Sequence, residues 1–339
     1  MRDPVLQVDG LKIHFPVRRV GLGFGALATL KAVDDVSFEL SRGETLGIVG
    51  ESGCGKSTLG RAVLQLVAPT DGRVVWLGQD LAALSRSEMR RKRRDLQIVF
   101  QDPLASLDPR MTTGEIIAEP LRAQGIRLSR DERRARVASI MEKVGLSPAL
   151  INRYPHEFSG GQCQRIGIAR AMIVEPKLVV CDEPVSSLDV SIRAQIVNLL
   201  KDLQKEFGLS LLFISHDLSV VRHIASRILV LYLGRVMELG ARDQIFDAPF
   251  HPYTRALMEA VLAPDPVAQR DADEVSEGRG LKGELPSPID PPSGCVFRTR
   301  CPIATEICAK DVPGLRDAMP GHSVACHHAF DRKAWRGSY

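Results

Sequence analysis

The stretch Thr45-Leu46-Gly47-Ile48-Val49, followed at once by Gly50-Glu51-Ser52-Gly53-Cys54-Gly55-Lys56-Ser57-Thr58, constrains the fold of this chain more than any other. A short apolar run closed by glycine reads as a buried strand, and the residues from about Ser57 read as a helix. In a strand–loop–helix of this kind the glycines let backbone N–H groups curl toward phosphate, and the helix N-terminus adds about half a positive charge. Gly50, Glu51, Ser52, Gly53, Cys54, Gly55, Lys56, Ser57 and Thr58 would then form the cradle. Lys56 can reach the β- and γ-phosphates, and the Ser57 hydroxyl can ligate Mg²⁺. The alternative is a chance glycine-rich turn, which the flanking strand and helix argue against.

Further apolar runs carry polar residues at their ends. Leu178–Cys181 leads into Asp182 and Glu183, Leu96–Phe100 into Gln101, and Phe213–Ile214 into Ser215 and His216. Asp182, closing a buried strand, can hold Mg²⁺ through its water shell, and Glu183 is placed to orient or deprotonate an attacking water. An ordinary turn is a weak alternative, because adjacent carboxylates capping a buried strand are costly without cations. Alone, His216 reads as structural and Gln101 as nothing. Behind the other motifs, in this order, His216 suits a γ-phosphate contact and Gln101 a switch sensing γ-phosphate and Mg²⁺.

The runs at 45–49, 96–100, 178–181, 211–214 and 228–231, separated by helix, predict an α/β fold with a mostly parallel sheet covered on both faces. Residues 5–15 read as a strand, and the Gly-rich, basic stretch 16–31 as a loop insertion in a hairpin. From about 113 to 172 the period turns helical, which predicts a separate helical subdomain at about 104–172. Residues 263–293 are rich in Pro, Asp, Glu and Gly and read as an extended connector.

The formal net charge of +4 is too mild to argue for nucleic acid, and the run Arg90-Arg91-Lys92-Arg93-Arg94 lacks the interleaved aromatics of a stacking surface, so it reads as a solvated helix face. No stretch approaches the roughly 18 apolar residues of a membrane span, and Met1-Arg2-Asp3-Pro4 opens no signal pattern. The expectation is a cytosolic protein that meets a membrane only through partners, with its seven cysteines reduced.

Taken together with Phe158-Ser159-Gly160-Gly161-Gln162, these residues resemble the nucleotide-binding subunits of ABC transporters over roughly 5–260. The resemblance implies a P-loop NTPase cassette: a mostly parallel core, an antiparallel β subdomain, a helical subdomain and, in this chain, a small Cys-rich C-terminal extension. It implies that Asp182 ends the Walker B strand, that Glu183 is the catalytic glutamate, and that Gln101 and His216 are the switch residues. By the same resemblance Ser159, Gly161 and Gln162 belong to the signature run, with Phe158 where Leu is commoner. That run faces the nucleotide of an opposite subunit, and Asp189 lies in the loop linking the two sites. Phe15 matches the aromatic that stacks on adenine, with a core aromatic as the alternative.

Arg153–Gln162, Cys181–Ser186 and His251–Leu257 look like the dipeptide/oligopeptide importer ATPases, and more closely like the second, F-type subunit. The implied partners are a paralogous ATPase subunit, two transmembrane permease subunits and an extracytoplasmic substrate-binding protein, with the chain peripheral to the cytoplasmic face of the membrane. Nickel or another small solute, or a soluble ATPase acting on nucleic acid or ribosomes, are the competing functions. The organisation expected is a nucleotide-binding domain over 1–260 and an extension over 261–339.

Cys295, Cys301, Cys308 and Cys326 cluster in that extension. Zinc ribbons pair their cysteines two to four residues apart, which is not the pattern here, and four thiolates at wider spacing suit an iron–sulfur cluster. Some members of the importer subfamily carry a four-iron cluster in such a tail. Zinc, with His322, His327 or His328 as substitute ligands, and cysteines simply packed in a small core are the alternatives.

Overall fold

The computed structural model describes residues 4–18, 27–259 and 284–330. In chain order the elements begin β1 (Pro4–Arg18), β2 (Leu27–Ser41), β3 (Thr45–Val49), α1 (Lys56–Val63), β4 (Asp71–Trp76), β5 (Gln79–Asp80), α2 (Arg86–Lys92) and β6 (Leu96–Val99). They continue with α3 (Thr113–Ala123), α4 (Arg130–Lys143), α5 (Gly160–Met172), β7 (Leu178–Asp182), α6 (Val190–Phe207), β8 (Ser210–Ile214) and α7 (Leu218–Ile224). The last are β9 (Arg227–Tyr232), β10 (Arg235–Ala241), α8 (Arg242–Asp247), α9 (Pro252–Glu259), α10 (Glu306–Lys310), β11 (Arg316–Met319) and β12 (His322–Val324). The stretch read as a loop insertion at 16–31 is partly strand, since β1 runs to Arg18 and β2 starts at Leu27; residues 19–26 lie outside the described residues, as do 260–283 of the connector.

The chain divides into two compact units. One comprises Met1–Gln7, Glu39–Thr45 and Val75–Val220; the other comprises Val8–Phe38, Leu46–Val74 and Val221–Tyr339. In the first unit β6, β7 and β8 run parallel, with Val99 opposite Cys181, Cys181 opposite Phe213 and Asp182 opposite Ile214. Every residue of β7 and β8 is buried, as strands covered on both faces require. The helical stretch read at 113–172 resolves into α3, α4 and α5. Each starts on a hydroxyl N-cap with a reciprocal partner three residues on: Thr112 with Glu115, Ser129 with Glu132, Ser159 with Gln162. In the basic run at 90–94, Arg90, Arg91 and Arg94 are exposed, and two of the guanidiniums also reach main chain: that of Arg90 donates to the Ala123 carbonyl at 2.9 Å and that of Arg94 to the Val174 carbonyl at 3.5 Å.

In the second unit β3 runs parallel to β9, β9 is antiparallel to β10, and the strands of the extension continue from there, β12 on β10 and β11 on β12. β10 has a buried carboxylate at its centre. Glu238 and His322 both have fully buried side chains and meet at 2.7 Å, Nε2 to Oε1. The same carboxylate accepts from the backbone N–H groups of Phe250 and His251 at 2.6 and 3.0 Å. Those bonds meet the requirement that a buried charge be paired and hydrogen-bonded.

Candidate functional site

In the second unit, β3 delivers the chain to a loop that only glycine can make. Gly50 has φ 151° and Gly55 φ 105°. A Cβ on Gly50 would stand 2.1 Å from the Leu231 carbonyl oxygen, and one on Gly55 would stand 2.0 Å from that of Ala32. Backbone therefore closes directly on backbone, and the loop is anchored by the Gly234 N–H donating to the Cys54 carbonyl at 2.9 Å. Gly55 precedes α1 without a side-chain cap, as suits a helix start that receives an anion.

Lys56, the first residue of α1, is 4% exposed. Its ammonium donates to the carbonyls of Gly50 at 2.8 Å and Glu51 at 2.9 Å, and lies 3.9 Å from the Cys54 sulfur. Burial pushes the Cys54 thiol up, against the opposing charge of Lys56. Ser52 and Gly53 are exposed at the loop tip, and Ser57 and Thr58 are half-buried on α1. A glycine cradle that a Cβ would fill, an uncapped helix start and a buried ammonium fit a polyphosphate. Phe15 is half-buried on β1 and has no ring partner among the described residues.

In the first unit, the parallel register of β6, β7 and β8 places the residues just beyond their C-terminal ends side by side. Three of the predicted site residues meet there on one carboxylate. Gln101 Nε2 donates to Glu183 Oε2 at 3.1 Å, and His216 Nδ1 lies 3.2 Å from the same oxygen. Asp182, at the end of β7, is 1% exposed. Glu183 takes φ 48°, a left-handed conformation that costs a residue with a Cβ about 1–3 kcal/mol. It is held there by its own N–H on the Ile214 carbonyl at 3.0 Å. Asp217, next to His216, is pushed up by burial. The Ser219 hydroxyl, the N–H groups of Val220 and Ser219 and the nearby Arg193 outweigh that effect and hold it below the usual carboxylate range.

The Ser159 run lies in the same unit and is not hydrogen-bonded to that cluster. Ser159 caps α5, accepting from the Gln162 N–H at 3.4 Å, while Gln162 Oε1 accepts the Ser159 N–H at 3.0 Å. Ser159 and Gly160 are exposed. A Cβ on Gly161 would stand 2.7 Å from Ile192 of α6, so glycine is what lets α5 and α6 start side by side. Asp189 precedes α6, exposed, beside an 80% exposed Val190.

The cysteine tail departs from expectation. All seven cysteines are free thiols, and Cys295, Cys308 and Cys326 are buried. The Cys295 N–H donates to the Cys308 carbonyl at 2.8 Å. Burial pushes Cys301 and Cys326 up to about 12, and the electrostatic influence of neighbouring tail thiols adds to it. Yet among the described residues no group of three or more His, Cys, Asp or Glu side chains is arranged to hold a metal ion. The structure therefore does not support the expected iron–sulfur site. The histidines considered as zinc ligands are engaged elsewhere: His322 with Glu238, His327 with the Asp311 carbonyl at 3.0 Å, and His328 with the Thr305 hydroxyl at 2.8 Å. Sequence reasoning missed Arg300, Tyr232 and Glu238, whose partners are dozens to hundreds of residues away.

Residues 33–186 match the family described as ABC transporter, and residues 237–308 match the one described as oligopeptide/dipeptide transporter, C-terminal region. The chain is 60% identical to the oligopeptide transport ATP-binding protein OppF of Escherichia coli, over 96% of each chain. It is 57% identical to the protein of the same name from Haemophilus influenzae, over 96% of this chain and 97% of that one. Among solved structures, a dimeric ATP-binding cassette in a post-hydrolysis state bound to ADP and Pi aligns with a TM-score of 0.62 at 30% identity, covering 70% of this chain and 98% of that one. A part of the ABC transporter complex cbiONQ from Clostridium perfringens aligns with a TM-score of 0.62 at 26% identity, covering 81% and 100%. Among the described residues no helix is long and apolar enough to cross a membrane.

Proposed function

The chain belongs to the ATP-hydrolysing subunits of ABC transporters, and on that premise we propose that it powers the import of oligopeptides. The loop 50–58 holds the phosphates, with Lys56 exchanging the carbonyls of Gly50 and Glu51 for the β- and γ-phosphates. Phe15 is the platform for adenine. Ser57, Asp182 and Gln101 are the residues that would hold Mg²⁺, which when bound neutralises charge on the phosphates. Glu183 orients and deprotonates the attacking water, and His216 meets the γ-phosphate.

The observation that carries hydrolysis is the convergence of Gln101 and His216 on the Glu183 carboxylate. Both neighbours can orient that carboxylate, and the constrained backbone at Glu183 fixes where it starts. In the variant Glu183→Gln, turnover should fall by about 10²–10⁴-fold with ATP binding retained. Undiminished turnover would remove Glu183 from the reaction.

Ser159, Gly161, Gln162 and Asp189 serve the nucleotide of a second cassette, a paralogous subunit. The support is that Ser159 and Asp189 are exposed and that Ser159 and Gln162 bond each other across their own cap. A cognate substrate-binding protein and two membrane permeases complete the importer, with this chain peripheral at the cytoplasmic face. That the relatives are named oligopeptide transport ATP-binding proteins supports peptide as cargo. ATP-dependent peptide uptake by proteoliposomes holding the permeases and both ATPase subunits tests this reading. Uptake that is unchanged when this subunit is omitted overturns it. In organisation, residues 1–260 are the nucleotide-binding domain, with a helical subdomain at about 104–172, and 261–339 the extension.

An iron–sulfur cluster on Cys295, Cys301, Cys308 and Cys326 is a separate proposal. It rests on soft ligands and on the mutual influence of the four thiols, and against it stands that, among the described residues, no group of such side chains is arranged to hold a metal. Iron and acid-labile sulfide in anaerobically purified protein would support it; stoichiometric zinc, or no metal, overturns it.

A further inference from the structure

The residue after Gly50 in the phosphate loop is an acid, in a place built to attract anions. The Glu51 carboxylate is gripped from the C-terminal extension. Arg300 Nη1 donates to Glu51 Oε1 at 2.9 Å and to Oε2 at 3.0 Å, with side-chain exposures of 6% and 26%. The guanidinium also lies 3.4 Å from the Tyr232 hydroxyl and 5.9 Å from that ring's centroid. The loop that carries Arg300 is fixed by Phe297, which is 1% exposed and packs against Tyr232, Tyr253 and His251 at centroid distances of 5.3, 5.4 and 5.7 Å. Tyr253 takes a second hold on the same residue, its hydroxyl accepting the Glu51 N–H at 2.9 Å. The Glu51 carbonyl in turn receives the Lys56 ammonium at 2.9 Å. One residue of the loop is thus held at its amide, its carbonyl and its carboxylate, and the carboxylate contact comes from 249 positions away.

We propose that Arg300 is a positioning residue for nucleotide binding: it neutralises the Glu51 carboxylate beside the phosphate cradle and so lets a negatively charged nucleoside triphosphate settle there. Without Arg300, Glu51 would put an uncompensated negative charge among the groups that must bind phosphate. The charge would also be free to draw the Lys56 ammonium onto itself. Both effects act on binding before any chemistry, so they belong in KM and in ATP affinity and leave kcat largely alone. The inference rests on the ATPase reading of the loop.

The test is equilibrium binding of ATP and steady-state hydrolysis by the full-length chain. Arg300→Gln should weaken ATP binding about tenfold and raise KM to match, with kcat within about threefold. Glu51→Gln should move affinity the other way, tightening it about threefold, because it removes the negative charge and leaves Arg300 unopposed. The double variant should return to within about threefold of the wild type, and Arg300→Lys, which keeps the charge, should stay there too. A merely structural strap behaves differently: both single variants weaken binding and the double variant rescues nothing, which overturns the proposal. Should Arg300→Gln not fold, Glu51→Gln and Arg300→Lys decide, since weaker binding in either contradicts a charge-balancing role. Failure of the wild-type chain to bind ATP would sink the nucleotide reading itself. Wild-type binding with an unchanged Arg300→Gln sinks only the role of Arg300.

Discussion

The phosphate loop and the Ser159 run are both glycine-rich segments that open a helix, yet they are built in opposite senses. The loop leaves α1 uncapped and turns its polar groups inward: Lys56 is buried on the loop's own carbonyls, and Glu51 is tied to Arg300 and Tyr253. The run caps α5 with its own Ser159 and Gln162 and turns outward. The helix start that receives a phosphate within its own chain is left open, whereas the one offered to a second chain is closed by its own side chains. Difference in capping therefore separates a receptacle from a presented edge, although the two motifs look alike as strings of glycine and serine.

Substitutions should respect that contrast. The largest effect is expected at Gly55→Ala, where the added Cβ meets backbone at 2.0 Å and φ is 105°. Folding stability should drop on the order of 3 kcal/mol, and ATP affinity by well over tenfold. Thermal melts and nucleotide titration would check this, and an unaffected loop would mean that the backbone closure is not needed.

Next comes acid. Burial pushes His251 down to about 4, against the opposing pull of Glu238 and the backbone contact to Ala325, while its unfolded value is near 6.5. The unfolded chain thus binds this proton between about pH 6.5 and 4 and the folded chain does not. The contribution is fully present above about 6.5, and up to about 3 kcal/mol is lost as pH falls toward 4. His251 Nδ1 accepts the Tyr253 N–H at 3.0 Å, so protonation also disturbs the residue that holds Glu51. Denaturant titrations at pH 7 and 4.5 should show a smaller acid loss for His251→Gln than for the wild type.

The smallest effect belongs to the outward run. Ser159→Ala removes one cap and should cost about 1 kcal/mol, without altering ATP affinity of the isolated chain. A loss of affinity as large as that at Gly55 would erase the distinction between the two segments.

What could be read from sequence follows the same line. The phosphate loop is legible because its groups are contiguous, and Gln101, Glu183 and His216 because each ends an apolar run whose parallel neighbours bring the ends together. Arg300 was not legible, since nothing near it in sequence announces a partner at position 51. β12 was missed for a different reason: His322-Ser323-Val324 is three residues long and carries no apolar run. Its place depends on the buried Glu238, and β10 itself escaped the reading. The helix expected between the runs at 178–181 and 211–214 is α6, whose Ile196, Val197, Leu200 and Leu203 fall on one helical face.

The pairing of β12 with β10 bears on how this chain behaves in a crowded solution. Glu238 faces Val324 and Leu239 faces Ser323, so the tail covers the outer flank of a strand that runs seven residues from Arg235 to Ala241. The outermost strand is then β11, which is four residues long and carries Arg316 and Asp317, a poor template for another chain to add to. A chain cut before residue 284 would instead offer the whole flank of β10, with the Glu238 carboxylate stripped of His322. Such a chain should aggregate, visible as light scattering that grows with concentration, while the full-length protein stays clear.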